Sequence, residues 1–149
     1  MRVTADLRAS CPPEALFAWV DDLDRYPPWM ELVHRVEPAG TDAQGRPAWQ
    51  VELRARLGPM SRSKRLRMVR TVHEPHSLAV FERDEDDGRR HALWSLRAEV
   101  AADGGASRLD VELLYGGTLW TGGLLERALA DQIERGRERL QELVSEPRR

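Results

Sequence analysis

The chain has 149 residues, 41% hydrophobic and 32% charged, and its 23 Lys and Arg against 25 Asp and Glu leave a formal charge of −2. A chain of this length buries about 68–70% of its unfolded surface, enough for a core without staples, and the near balance of charge argues against a dedicated nucleic-acid binder. The lone Cys11 excludes an internal disulfide and a zinc cluster, and neither a signal peptide nor the ~20 apolar residues of a membrane span is present, so a cytoplasmic protein is expected.

No repeat or linker divides the chain, which predicts one folding unit over residues 1–146 with a frayed tail at 147–149. Arg2 to Ala9 alternates Val3, Ala5, Leu7 and Ala9 with polar residues, the pattern of a half-buried strand. Pro12 and Pro13 suit the first turn of a helix, and Leu16, Phe17, Val20 and Leu23 recur at helical spacing, which predicts a short helix through Asp22. Pro27-Pro28 cannot continue a regular helix, so Asp24 to Leu32 is expected as a turn and a short irregular helical piece carrying Tyr26, Trp29 and Met30. From Val33 to Tyr115 the period becomes two. Strands are expected around Trp49–Leu57, Arg62–His73, Ser77–Arg83, Ala92–Val100 and Leu109–Tyr115, with Asp84 to Gly88 as an acidic hairpin turn and Asp103-Gly104-Gly105 as another. Hairpins in series imply an antiparallel meander. The chain ends in a long helix with Thr121 as N-cap, Trp120 packing on Leu125 as a staple, and an apolar stripe of Leu125, Leu129, Ile133, Gly136, Leu140 and Leu143. Arg127/Asp131, Asp131/Arg135 and Glu134/Arg137 have the spacing of helical ion pairs.

A single-layer sheet with one dry face needs a cover, and the final helix is the only element with the apolar length to supply it. The opening strand followed by Pro12-Pro13-Glu14-Ala15-Leu16-Phe17-Ala18-Trp19-Val20, the segment Asp24-Arg25-Tyr26-Pro27-Pro28-Trp29, and Gly116-Gly117-Thr118 before Gly122-Gly123-Leu124-Leu125 resemble the START-like superfamily (SRPBCC) in its polyketide cyclase/dehydrase branch. The resemblance implies an α+β helix-grip fold: a curved antiparallel sheet wrapped around a long C-terminal helix, with two short helices after the first strand. It also implies a hydrophobic cavity, and it leaves the reaction open, because relatives bind lipids and hormones, cyclise polyketides or contact ribosomes.

The candidate ligand-binding residues are Trp29, Trp49, Leu53, Met68, Arg70, Trp94, Leu113, Tyr115, Leu125, Leu129 and Gly136. The large aromatics either fill the core or wall a pocket, and Trp29, on the irregular segment, is placed at the mouth. Gly136 either leaves room beneath the helix or permits close packing. Arg70 shares a face with Leu66 and Met68, so it either reaches the rim or meets a polar group of a ligand, with Glu82 a partner if its strand has the right register. The weak catalytic candidates are Arg70, Glu82, Tyr115 and His91, and alternation with Trp94 turns His91 outward. His34, His73, His76 and His91 form no metal pattern, the acidic turn does not fit a calcium loop, and no phosphate-binding or nucleophile motif is present, so neither a metal nor a cofactor is expected.

These residues favour binding of a small, largely apolar molecule between sheet and helix, by a monomer or homodimer. The alternative is a polyketide cyclase/dehydrase acting in the same cavity. A third reading, contact with ribosome or RNA, would use the run Arg54, Arg56, Arg62, Lys64, Arg65, Arg67 and Arg70, with Arg65 and Arg67 pointing away from the core; no interleaved aromatic supports it.

Overall fold

The structure is a computed structural model and describes residues 2–57, 59–116 and 123–145, with the side chains of residues 57, 123–126, 128 and 129 left out. Seven strands form one antiparallel sheet: β1 (Arg2–Ala9), β2 (Val33–Thr41), β3 (Pro47–Leu57), β4 (Met60–Glu74), β5 (Leu78–Arg83), β6 (Trp94–Asp103) and β7 (Ala106–Tyr115). Their spatial order is β1-β7-β6-β5-β4-β3-β2, so β2 to β7 run as the expected meander and β1 closes onto β7. Helix α1 (Pro13–Phe17) and a 3₁₀ turn (Leu23–Arg25) follow β1, and α2 (Gly123–Ser145) ends the fold, packed chiefly against β1 and β3. This is the helix-grip arrangement.

Strand alternation sets the two faces. In β6 and β7, Trp94, Leu96, Ala98, Val100, Leu109, Val111 and Leu113 are buried, while neighbours such as Arg97, Arg108 and Asp110 are exposed. Edge strand β2 carries Pro38 beside a register shift, a place where the missing N–H costs no ladder bond. The β6–β7 turn needs positive φ at Gly104 and Gly105 (58° and 85°), which a Cβ would strain.

Three expectations change. The first helix stops at Phe17 rather than Asp22, because the amides of Trp19 and Val20 take three-residue bonds to Leu16 and Phe17 and Asp22 turns its carboxylate onto the Asp24 amide to start the 3₁₀ turn. The stripe of Leu16, Phe17, Val20 and Leu23 is buried all the same. The acidic segment is a connection of ten residues, 84–93, and not a tight hairpin turn. Its anchor is Glu85, whose Oε1 accepts from the Arg67 amide (2.9 Å) and from Arg83 Nε (3.1 Å). Of the expected helical ion pairs, Glu134–Arg137 forms at 2.9 Å, whereas among the described residues neither pair built on Asp131 is present; an unexpected one, Arg139–Glu142, forms at 3.1 Å. Thr121, Trp120 and the staple lie outside the described residues.

The irregular segment between α1 and β2 is held by buried polar contacts. Tyr26 is fully buried and donates its hydroxyl to the Val20 carbonyl (2.8 Å); burial, with the Asp21 charge adding, pushes its phenol far above the usual range. Trp29 Nε1 donates to the Trp19 carbonyl and Trp49 Nε1 to Asp24 Oδ2, both at 3.3 Å. These indoles fasten the segment to itself and to β3.

Candidate ligand cavity

Between the concave face of the sheet, the irregular segment and α2 lies an enclosed cavity of about 30 Å³. Its floor includes Leu53, Met68, Trp94 and Leu113, four of the expected residues, together with their same-face neighbours Val51, Leu66 and Leu96. Leu23, Met30, Leu32 and Val33 form its side, and Ile133 reaches in from α2. Every described lining side chain presents only apolar surface to the space, including the indole of Trp94, whose Nε1 is enclosed by the packing around it. That nitrogen is buried without a hydrogen-bond partner among the described residues, a condition that costs about 1–3 kcal/mol for a neutral donor. The cavity volume corresponds to about two water molecules, and with apolar walls such a space stays dry. The core is therefore nearly filled by its own side chains, and a larger guest requires them to move.

The remaining expected residues are placed elsewhere. Trp29 lines a second void of about 10 Å³ on the other side of Met30 and Ile133. Trp49 packs edge-on against Phe81, with ring centroids 5.6 Å apart. Tyr115 is outside the lining but stacks on Trp94 at 5.1 Å, so it backs the cavity wall. Gly136 answers the choice left open for it: a Cβ there would stand 2.8 Å from the Trp29 carbonyl oxygen, so the glycine permits close packing and does not open space. The side chains of Leu125 and Leu129 lie outside the described residues.

Arg70 turns to the irregular segment, where Nη1 donates to the Asp21 carbonyl (2.8 Å). Glu82 is not its partner. Ala79 and Phe81 are the buried residues of β5, which puts Glu82 on the convex face, where it accepts from Thr71 Oγ1 at 2.5 Å. His91 is exposed, with Nε2 2.9 Å from Asp87. These candidates do not meet in one place, and among the described residues no three His, Cys, Asp or Glu side chains cluster as metal ligands. The basic run is also divided: Arg67 is only 8% exposed, because the 84–85 segment folds over it and the Asp84 carbonyl accepts from its Nη1 (2.7 Å). Its expected place on an open basic face is thus corrected.

At one end of the concave face the lining gives way to charge. Lys64 pairs with Leu53 and stands two residues from Leu66 on the same side of β4, while Arg83 pairs with Met68. Arg83 and Glu85 form an ion pair whose side chains are 10% and 17% exposed. Lys64 is half-buried and, among the described residues, has no ion-pair or hydrogen-bond partner. The periodicity that points to Met68 also places Lys64 here, whereas its membership of a basic run points to nucleic acid instead.

Sheet order, covering helix and enclosed apolar cavity together define a helix-grip protein of the START-like class. Solved structures share the fold. A Thermus thermophilus protein, TTHA0849, is 18% identical, with 97% of each chain covered and a TM-score of 0.74. A START superfamily protein from Mycobacterium smegmatis is 16% identical, with 96% of each covered and a TM-score of 0.69. A di-domain ARO/CYC protein, BexL of the BE-7585A biosynthetic pathway, is 15% identical over 99% of this chain and 51% of that one, with a TM-score of 0.66. No curated protein sequence matches. The profile of the family described as polyketide cyclase / dehydrase and lipid transport matches residues 1–145, and the chain belongs to that family. Among the described residues no helix is long and apolar enough to cross a membrane.

Proposed function

We propose that this protein binds a small, largely apolar molecule in the cavity between sheet and α2. The observation that carries the reading is the composition of that cavity: twelve described side chains from five strands, the irregular segment and the helix converge on one enclosed space, and none of them titrates. Shape and apolar contact then supply affinity, at about 25 cal/mol for each Å² of apolar surface removed from water before the cost of opening the space. Flexible Met30 and Met68 are the side chains suited to yield to a guest. A cyclase or dehydrase would need an acid or base at the reacting atoms. None of the four candidates, Arg70, Glu82, Tyr115 and His91, is among the lining residues, so binding is favoured over turnover. The compartment we assign is the cytoplasm, where the free thiol of Cys11 stays reduced.

Titration with dodecanol, followed by Trp fluorescence and calorimetry, tests the reading. One saturable site is expected in the wild-type protein, together with its loss in Leu113→Phe, which fills the floor with a larger ring. Absence of dodecanol binding by the wild type, or undiminished binding by a cooperatively folded Leu113→Phe, would overturn it.

A further inference from the structure

We propose that the ligand is an apolar acid whose carboxylate is received by Lys64 at the charged end of the concave face, with its hydrocarbon body in the cavity. This rests on the cavity reading above and names the chemistry of the guest. Lys64 is joined to the cavity through its strand: its cross-strand partner Leu53 and its same-face neighbour Leu66 both line the space. A ligand leaving the apolar floor at those two residues meets the Lys64 side chain next.

The charge count at that end selects the sign of the guest. Lys64 and Arg83 are cations, and Glu85 is the carboxylate beside them. Glu85 is already occupied by Arg83 Nε at 3.1 Å and by the Arg67 amide at 2.9 Å, while Arg83 also donates to the Ala92 carbonyl at 3.4 Å. Of these three groups one positive charge is left over, and it belongs to Lys64, a partly exposed side chain without an ion-pair or hydrogen-bond partner among the described residues. A carboxylate delivered there from the cavity would meet it with part of the competing solvent removed by the guest itself, which strengthens the charge-assisted bond. Burial first, and then the like charge of Arg83, hold the Lys64 ammonium below the usual lysine range, with Glu85 acting in the opposite sense; the charge of an incoming carboxylate opposes both lowering effects. The described cavity wall itself presents only apolar surface, so the nearest charged group to which a polar head can be directed is Lys64. A spare cation at the end of an apolar wall suits a guest with a hydrocarbon body and a negatively charged head.

The experiment compares dodecanoate with dodecanol, two probes of equal chain length that differ at the head, in calorimetric titrations below their aggregation limits. The wild type is expected to bind dodecanoate at least tenfold more tightly than dodecanol. Lys64→Met should weaken dodecanoate at least tenfold and leave dodecanol unchanged, while Arg65→Met, which removes the adjacent charge on the opposite face, should keep the preference. Equal affinity for the two probes in the wild type overturns the assignment and leaves the cavity reading standing. A preference that survives in Lys64→Met, or that is lost equally in Arg65→Met, overturns it too. Failure of both probes to bind overturns the cavity reading along with it.

Discussion

Replacing Gly136 with Ala tests how closely α2 sits on the irregular segment. In a helix open to solvent the exchange should stabilise by about 1 kcal/mol, because Gly is the poorest helix former after Pro. Here the new Cβ would stand 2.8 Å from the Trp29 carbonyl oxygen and 3.6 Å from both the Met30 Cα and the Trp29 ring. The nearest atom is backbone, so a side-chain rotation cannot relieve the contact, and helix or segment must retreat by about 0.6 Å to reach ordinary separation. Overpacking of this kind costs about 1–3 kcal/mol, so after the propensity gain a net loss of about 1 kcal/mol is expected, equivalent to roughly 2–4 °C in Tm for a domain of this size. Urea unfolding followed by Trp fluorescence reads the difference as a lower midpoint at unchanged slope. Glu138→Gly, at an exposed position of the same helix, calibrates the propensity term in this protein. A Gly136→Ala variant more stable than the wild type would refute the close-packing argument.

Tyr26→Phe removes a fully buried hydroxyl and leaves the Val20 carbonyl without its donor, so unfolding measurements should show a loss of about 1–2 kcal/mol. At the β2–β3 turn, burial works to raise the pKa of Asp42, but the Arg46 side chain and the Arg46 and Gln44 amides hold its carboxyl below the usual 3.8. A depressed folded-state pKa means that its contribution is complete above the ordinary value and is lost as pH falls through the lower one. Protection of the Gln44 and Arg46 amides against exchange, taken relative to the intrinsic rate at each pH, should therefore fall only below pH 3.8, and Asp42→Asn should remove that step. A turn equally protected on both sides of the transition would refute the assignment.

The strands are legible because alternation is a local signal. Trp49, Val51, Leu53 and Ala55 mark their own inner face, and the same rule leads to Leu66, Met68, Trp94, Leu96 and Leu113, most of the cavity floor. β2 is hidden because Pro38, Gly40 and its charged residues carry little apolar period, its pairing being decided by β3. The face of Glu82 is not legible because Leu78 and Val80 are apolar as well as Ala79 and Phe81; neighbouring strands settle it. Nor can the side of the cavity be read, since Met30, Leu32 and Val33 follow a chain without period. Arg67 escapes for a different reason: alternation gives the direction of a side chain but not the loop that folds over it. For Gly136, the sequence poses the right alternatives, and only the position of the Trp29 carbonyl separates them.

The seat at Gly136 also governs how a guest could enter. Backbone meets backbone there, Leu140 is fully buried one turn further on, and Gln141 Nε2 reaches the Arg8 carbonyl at 2.9 Å, so the latter half of α2 is pinned to β1 and to the Trp29 segment. Ile133, which enters the cavity, lies just on the other side of that seat. Gln132, beside Ile133, is tied in turn to β3, its Nε2 donating to the Arg54 carbonyl at 3.3 Å, so α2 is held on both sides of residue 136. Anchored on either side, this stretch of helix is a fixed wall, and room for a guest has to come from the yielding of Met30 and Met68 opposite it.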